Sequence, residues 1–106
     1  CNIAEALKDD HPQKAVTMGY LNNYKAMYNE PLSSFGGHGW DALKLVADAL
    51  AAVGCDRAGI RDHIESVQGF VGQHGVFNFT ADDHNGLTAA AFNMVVVKDG
   101  DWALTD

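Results

Sequence analysis

The stretch "PLSSFGGHGWDALKLVADAL", residues 31–50, sets two kinds of sequence side by side. Its first half holds paired serines and three glycines, which predicts a loop. The second half begins a run, residues 39–53, that is apolar on more than one side, which predicts a helix packed on more than one face. An aromatic, a histidine and an acid (Phe35, His38 and Asp41) lie at the junction. Such residues suit a catalytic site, a metal site, the rim of a ligand cleft or an ordinary helix start.

Helical periodicity extends to both sides of this stretch. Apolar side chains recur at helical spacing over residues 13–28, and that helix should end before Pro31. Gly54 suits the end of the second helix, because glycine adopts positive φ at no steric cost. Asp56 is a suitable N-cap for a third helix over residues 57–68.

The period changes to that of strands in the last third. The segment "GVFNFT", residues 75–80, alternates as a strand does. Asn85-Gly86 favours a turn. Two β-rich runs flank Asp99-Gly100, the preferred pair for a two-residue hairpin. The sequence therefore predicts an α+β chain of three helices followed by three short, mainly antiparallel strands.

Length and charge exclude several classes of protein. A chain of 106 residues forms one domain at most. Fourteen acidic against seven basic residues give a net charge of −7, without a basic cluster. Nucleic acid and anionic membranes are therefore not expected partners. The longest weakly polar run, residues 43–53, is too short to span a bilayer. Whether Cys1 and Cys55 pair stays open.

A catalytic role for the junction lacks its nucleophile. His38 and Asp41 are three residues apart and resemble part of a nucleophilic triad. Ser33, Ser34 or a cysteine would have to complete it, yet no activated-nucleophile motif surrounds any of them. We expect instead that Asp41 lies in the first helical turn, favoured by the helix dipole, and that His38 caps or lines the loop. No catalytic residue is predicted.

Metal and cofactor sites are not indicated either. Five histidines are present, but none has a partner at ligand spacing and no C-x-x-C accompanies them. Residues 82–86, "DDHNG", resemble a calcium loop, but no acid follows until Asp99, so a turn is expected. We predict neither a metal nor a cofactor.

The glycines of the junction suit a close backbone approach. A phosphate loop would follow a strand and carry a lysine or a G-x-G-x-x-G spacing, and this one does neither. The close approach is either to another element or to a ligand. Phe35 forms an apolar wall for a ligand or packs under the second helix, and both stay open. Tyr20, Tyr24 and Trp40 have the helical spacing of core aromatics.

Several segments together resemble one protein family. Residues 11–16, 20–50, 56–87 and 91–104 are similar, in this order, to the C-terminal third of branched-chain amino-acid-type periplasmic binding proteins. These are the solute receptors of ABC importers, with the type I periplasmic-binding fold. The resemblance covers the chain from about residue 5 to residue 104 and is specific for the family rather than for the ligand.

The resemblance implies a fragment of a two-lobe α/β receptor. Residues 1–106 would form one segment that largely completes the first lobe, and Cys1 would be an internal residue. The implied ligand is an amino acid of branched-chain type or a similar small molecule. The implied partners are an ABC permease and the missing N-terminal portion. The implied location is periplasmic or extracellular, and no catalysis is implied.

The implied ligand contacts lie on the loop before the second helix. They are Phe35, Gly36 and Gly37, with His38 beside them. The groups that hold an amino acid's ammonium and carboxylate come mostly from earlier segments of such receptors. We therefore expect the isolated chain to bind amino acids negligibly.

An isolated segment of this kind would expose apolar surface. We expect it either to self-associate as a homo-oligomer or to pack its second helix against the hairpin. Two alternatives remain: a standalone self-associating interaction module, and a small hydrolase using His38.

Overall fold

A computed structural model describes residues 3–105. The helices are α1 (Lys14–Tyr28), α2 (Ser34–Val53) and α3 (Arg57–Glu65). The strands are β1 (Phe70–Val71), β2 (Val76–Phe77), β3 (Val95–Lys98) and β4 (Asp101–Leu104), with a 3-10 turn at Ala89–Ala91. Three helices followed by short antiparallel strands confirm the predicted α+β class. Over residues 3–105, none of the helices has the length and apolar character needed to cross a membrane.

The predicted loop at residues 34–38 is wrong, because α2 starts at Ser34. Ser33 is extended, with φ −99° and ψ 142°, and its hydroxyl accepts the Phe35 N–H at 3.3 Å. A serine in this N-cap position supplies an acceptor for a helix-start N–H that has no partner within the helix. This cap sets where the helix begins, and the low helix propensity of the glycines, a weak preference that tertiary contacts override, does not prevent it.

The other helix ends follow local chemistry. α1 ends at Tyr28, and the next residue, Asn29, has a left-handed φ of 50° and donates its N–H to the Lys25 carbonyl. The predicted cap of α3 is confirmed, since the Asp56 carboxylate accepts the Gly59 N–H at 3.0 Å. α3 ends at Glu65, three residues before the predicted end, and the Ser66 hydroxyl donates to a carbonyl of its last turn.

The strands form two separate antiparallel pairs. β1 pairs with β2, joining Phe70 to Phe77, and the connecting turn, residues 72–75, is closed by the Gly72 N–H to the Gly75 carbonyl at 2.9 Å. β1 was not predicted, because two residues carry no alternation. β3 pairs with β4 around Asp99 and Gly100, whose φ values of 54° and 84° confirm the predicted hairpin.

The buried core is small. Its apolar members, among the described residues, are Ala4, Leu7, Leu21, Ala49 and Phe79. α2 packs mainly on α3, and the β3–β4 hairpin contacts mainly itself. Extensive packing of α2 against the hairpin, one of the two expected outcomes, is therefore not found.

One face of α2 lacks a covering layer, which contradicts the prediction that this helix is packed on more than one side. Leu43 is 70% exposed, and Val46, Leu50 and Val53 are each about 40% exposed. We call these four residues the open face of α2. An apolar stripe of this length is typical of a helix that lies on a sheet, and residues 3–105 supply no such sheet.

Candidate functional site

A buried carboxylate joins α2 to the turn of residues 72–75. Asp41 is 4% exposed. Its oxygens accept the Gln73 N–H at 2.7 and 2.9 Å and the His74 N–H at 3.3 Å, and one lies 3.3 Å from His74 Nδ1. Asp41 lies beyond the first turn of α2, so its predicted role at the helix dipole is wrong. It instead accepts hydrogen bonds from two partly buried backbone N–H groups of the turn.

Glycines allow this close approach. A Cβ at Gly72 would lie 2.7–2.8 Å from the Asp41 carboxylate, and one at Gly37 would lie 2.9 Å from His74 Cε1 and 3.0 Å from Gln73 Cβ. At each position these distances leave no room for a Cβ atom unless a neighbouring group moves. The prediction that the glycines serve a close backbone approach is confirmed at Gly37, and the approach is to another element.

Two imidazoles stack beside the carboxylate. The rings of His38 and His74 are parallel within 6°, with centroids 3.4 Å apart. The carboxylate of Asp41 contacts His74 and not His38. The His38–Asp41 pair on which a His38 hydrolase would depend is therefore not formed. Sequence reasoning missed His74, because it lies 33 residues from Asp41. The signal was the glycine pair of "GQHG", which marks a tight turn.

Side-chain amides tie the same turn to α1. Gln13 donates to the Gly72 carbonyl at 2.9 Å, and Gln73 donates to the Val16 carbonyl at 3.2 Å. Gln13 is buried, so the first of these bonds lies in a water-poor interface, and the second is partly buried. The turn of residues 72–75 therefore connects α1, α2 and the β1–β2 pair.

A cavity of about 300 Å³ lies beside the turn. Its walls come from the N-terminal segment, α1, the start of α2, the turn and residues 91–95, and include Tyr20, Ser34, Gly37, His74 and Asn93. The walls mix hydroxyl, imidazole and amide groups with apolar side chains, as small-molecule sites do.

The four predicted ligand contacts do not all line this cavity. Gly37 lines the cavity, whereas Phe35, Gly36 and His38 do not. Phe35 is 83% exposed, so the alternative that it packs under α2 is wrong. A Cβ at Gly36 would lie 2.6 Å from the Tyr20 hydroxyl, so this position faces α1.

Tyr20, Tyr24 and Trp40 are half-buried, and Tyr20 brings α1 into contact with Trp40 of α2. Tyr20 has ring centroids at 6.1 Å from both Tyr24 and Trp40. Their predicted packing role is thus confirmed in part. Burial raises the pKa of the Tyr20 hydroxyl, and Tyr24, Tyr28 and the Asp41 charge raise it further.

In the described part of the chain, the remaining histidines and Cys55 form no metal-binding cluster. Within residues 3–105, no three His, Cys, Asp or Glu side chains are arranged to hold a metal ion. The segment 82–86 is a turn, in which Asp83 accepts the Asn85 and Gly86 N–H groups. Cys55 is a free, exposed thiol. Cys1, on which the disulfide question depends, lies outside the described residues.

Comparison with known proteins finds several solved structures that are similar to this chain. An extracellular ligand-binding receptor from Rhodopseudomonas palustris HaA2 matches 96% of this chain with a TM-score of 0.84 and 32% identity. Two further extracellular ligand-binding receptors from Rhodopseudomonas palustris, one of them from HaA2, match with TM-scores of 0.81 and 0.80 at 24% identity, over 99% and 97% of this chain. No protein-family model matches the chain. No curated protein matches it either.

The chain spans only part of these receptors. It covers 31% of the first structure's length and 32% and 31% of the other two. The fold described above is therefore that of a segment of a periplasmic-binding fold. The structures to which it is similar are extracellular ligand-binding receptors.

Proposed function

We propose that this chain is a segment of an extracellular solute-binding receptor and that it contributes one rim of the ligand cleft. The observation that carries the proposal is the match over 96% of the chain, at 32% identity, to an extracellular ligand-binding receptor. The segment binds and does not catalyse. Ligand binding shifts an open–closed equilibrium of the receptor, since a ligand moves such an equilibrium by its differential affinity for the two states.

The proposed ligand is an amino acid of branched-chain type or a similar small molecule. The first two turns of α2 carry the proposed contacts: Phe35, Gly36, Gly37 and His38. Phe35 is the leading contact, because a large apolar ring that is 83% exposed at a helix start is available to a ligand. Gly36 and Gly37 bring that turn close to α1 and to the turn of residues 72–75.

The proposed partners are the rest of the receptor and an ABC permease. Because the chain spans 31% of its structural neighbour, the rest of the receptor supplies most of the ligand cleft. That remaining portion also covers the open face of α2. The receptor is exported to the periplasm or cell exterior and delivers its ligand to an ABC permease.

Calorimetric titration with L-leucine tests this proposal. We expect micromolar binding by the receptor-length protein that contains this segment and negligible binding by the chain alone. Phe35→Ala in the receptor should weaken binding by about tenfold, the effect of losing one buried aromatic contact. Met27→Ala, which removes an apolar side chain that is 72% exposed at the end of α1, is the control and should leave binding unchanged. Micromolar leucine binding by the chain alone would contradict the proposal.

A second candidate function is a standalone self-associating module. The open face of α2 favours it, because exposed apolar stripes of this size occur at interfaces between chains. It requires a gene product of only this length that forms a stable oligomer.

A further inference from the structure

We propose that His74 is a positioning residue for the proposed ligand contacts on α2. This inference rests on the proposed function, because it concerns the turns of α2 that carry those contacts. His74 lies on the turn of residues 72–75. It contacts the carboxylate of Asp41 in α2, which lies 33 residues earlier in the sequence.

His74 is held in place from two sides. On the first side, Asp41 accepts the His74 backbone N–H and lies 3.3 Å from Nδ1, so the carboxylate fixes the ring's orientation. On the second side, Gln13 and Gln73 tie the turn to α1 through bonds of 2.9 and 3.2 Å. A ring that is fixed in this way is a rigid surface for whatever rests on it.

The first two turns of α2 rest on that ring. The His38 ring stacks on it at 3.4 Å and within 6°. The Gly37 backbone approaches so closely that a Cβ would lie 2.9 Å from His74 Cε1. His38 is itself exposed, so the stack is the contact that sets its orientation. Phe35 lies on the same two turns, and any displacement of Gly37 and His38 moves it too.

The effect of His74 is separable from helix formation. The start of α2 keeps its Ser33 cap when His74 is changed, because the cap lies on α2 itself. Loss of the His74 ring should therefore loosen residues 37–41 locally and leave α3 intact. A change that simply unfolds the chain would loosen both helices.

Amide hydrogen exchange of the receptor-length protein, followed residue by residue by NMR, tests the inference. In His74→Ala, amides of residues 37–41 should exchange about five- to tenfold faster, the effect of losing one ring stack, while those of α3 keep their rates. His74→Phe restores a flat ring and should recover most of the exchange protection of residues 37–41. The stacked ring should also shift the His38 ring protons upfield, and this shift should be lost in His74→Ala and return in His74→Phe. His84→Ala, which removes the other carboxylate-paired histidine, is the matched control and should leave residues 37–41 unchanged. Unchanged exchange in His74→Ala, or equal acceleration in α3 without rescue by His74→Phe, overturns the inference.

Leucine titration of the receptor-length protein supplies the functional readout. We expect His74→Ala to weaken leucine binding by about tenfold, His74→Phe to bind within about twofold of the wild type and His84→Ala to bind as the wild type does. Full affinity in His74→Ala contradicts the inference even where exchange is faster. If the wild-type receptor does not bind leucine, the proposed ligand fails, and the exchange result alone then decides the role of His74.

Discussion

Three glycines in one helix should respond to alanine in three different ways. Gly36, Gly37 and Gly39 all lie in α2, and none has positive φ. Each Gly→Ala change therefore gains about 0.5–1 kcal/mol from the reduced entropy of the unfolded chain and from helix propensity. The surroundings of the added Cβ then decide the sign of the net effect.

The sign follows from what each Cβ would meet. At Gly39 nothing lies within 4 Å, so alanine should stabilise the chain by the full gain. At Gly36 the obstacle is the Tyr20 hydroxyl at 2.6 Å, the far end of a side chain that can rotate, so the gain and the cost should nearly cancel. At Gly37 the obstacles are Gln73 Cβ at 3.0 Å and the His74 ring at 2.9 Å.

Neither obstacle at Gly37 can move freely, because the turn that carries them is tied to Asp41 and to α1. Overpacking at such a site costs about 1–3 kcal/mol. Gly37→Ala should therefore destabilise the chain by up to about 2 kcal/mol after the helix gain is subtracted. In a chain of this size, 1 kcal/mol shifts Tm by about 4–8 °C.

Thermal unfolding followed by far-UV circular dichroism measures all three variants under one set of conditions. We expect Tm to rise in Gly39→Ala, to stay near the wild-type value in Gly36→Ala and to fall in Gly37→Ala. A rise in Gly37→Ala equal to that in Gly39→Ala would refute the close packing of α2 on the turn of residues 72–75.

Three further predictions concern the buried Asp41 carboxylate, the open face of α2 and the raised pKa of Tyr20. Asp41→Ala leaves two backbone N–H groups without their acceptor and should lower the free energy of unfolding by about 2–4 kcal/mol, measured by urea denaturation. A loss under about 0.5 kcal/mol would show that water replaces the carboxylate as acceptor. The chain alone should self-associate at micromolar concentration, and Leu43→Glu with Leu50→Glu should lower its mass by light scattering; a monodisperse wild-type monomer would contradict this. The Tyr20 pKa is raised above its ordinary value of 10.0, so the folded state favours the neutral hydroxyl, and stability should be lost as the pH rises from about 10 through the folded-state pKa. Tyr20→Phe should flatten that alkaline loss in denaturation curves, and an unchanged loss would place its cause elsewhere.

The elements with strong local signals could be predicted from the sequence. The N-cap of α3 at Asp56 and the hairpin at Asp99-Gly100 depend on residues next to one another, and both are confirmed. The start of α2 was misplaced because three glycines suggested a loop, whereas the Ser33 cap decided the outcome. The cap set the position of the helix start, and the low helix propensity of the glycines did not prevent it.

The site could be predicted only in part, because its contacts are distant in sequence. Phe35 and His38 were selected from the junction and from the family resemblance. The partner of Asp41 was not found, since no periodicity links α2 to a turn 33 residues later. The open face of α2 was predicted as covered, because an apolar stripe shows that a helix needs a partner surface but not which segment supplies it.

The intact mass of the gene product in its host tests the central claim most directly. This chain has a mass of 11.4 kDa and spans 31% of its structural neighbour, so a receptor of that size has a mass of about 37 kDa, from 11.4 divided by 0.31. An antibody raised against α2 and α3 should detect an exported protein of about 37 kDa, as expected for a receptor of which this chain forms one segment. A stable product of 11.4 kDa, with no larger precursor at any stage of expression, would contradict the receptor and favour the self-associating module.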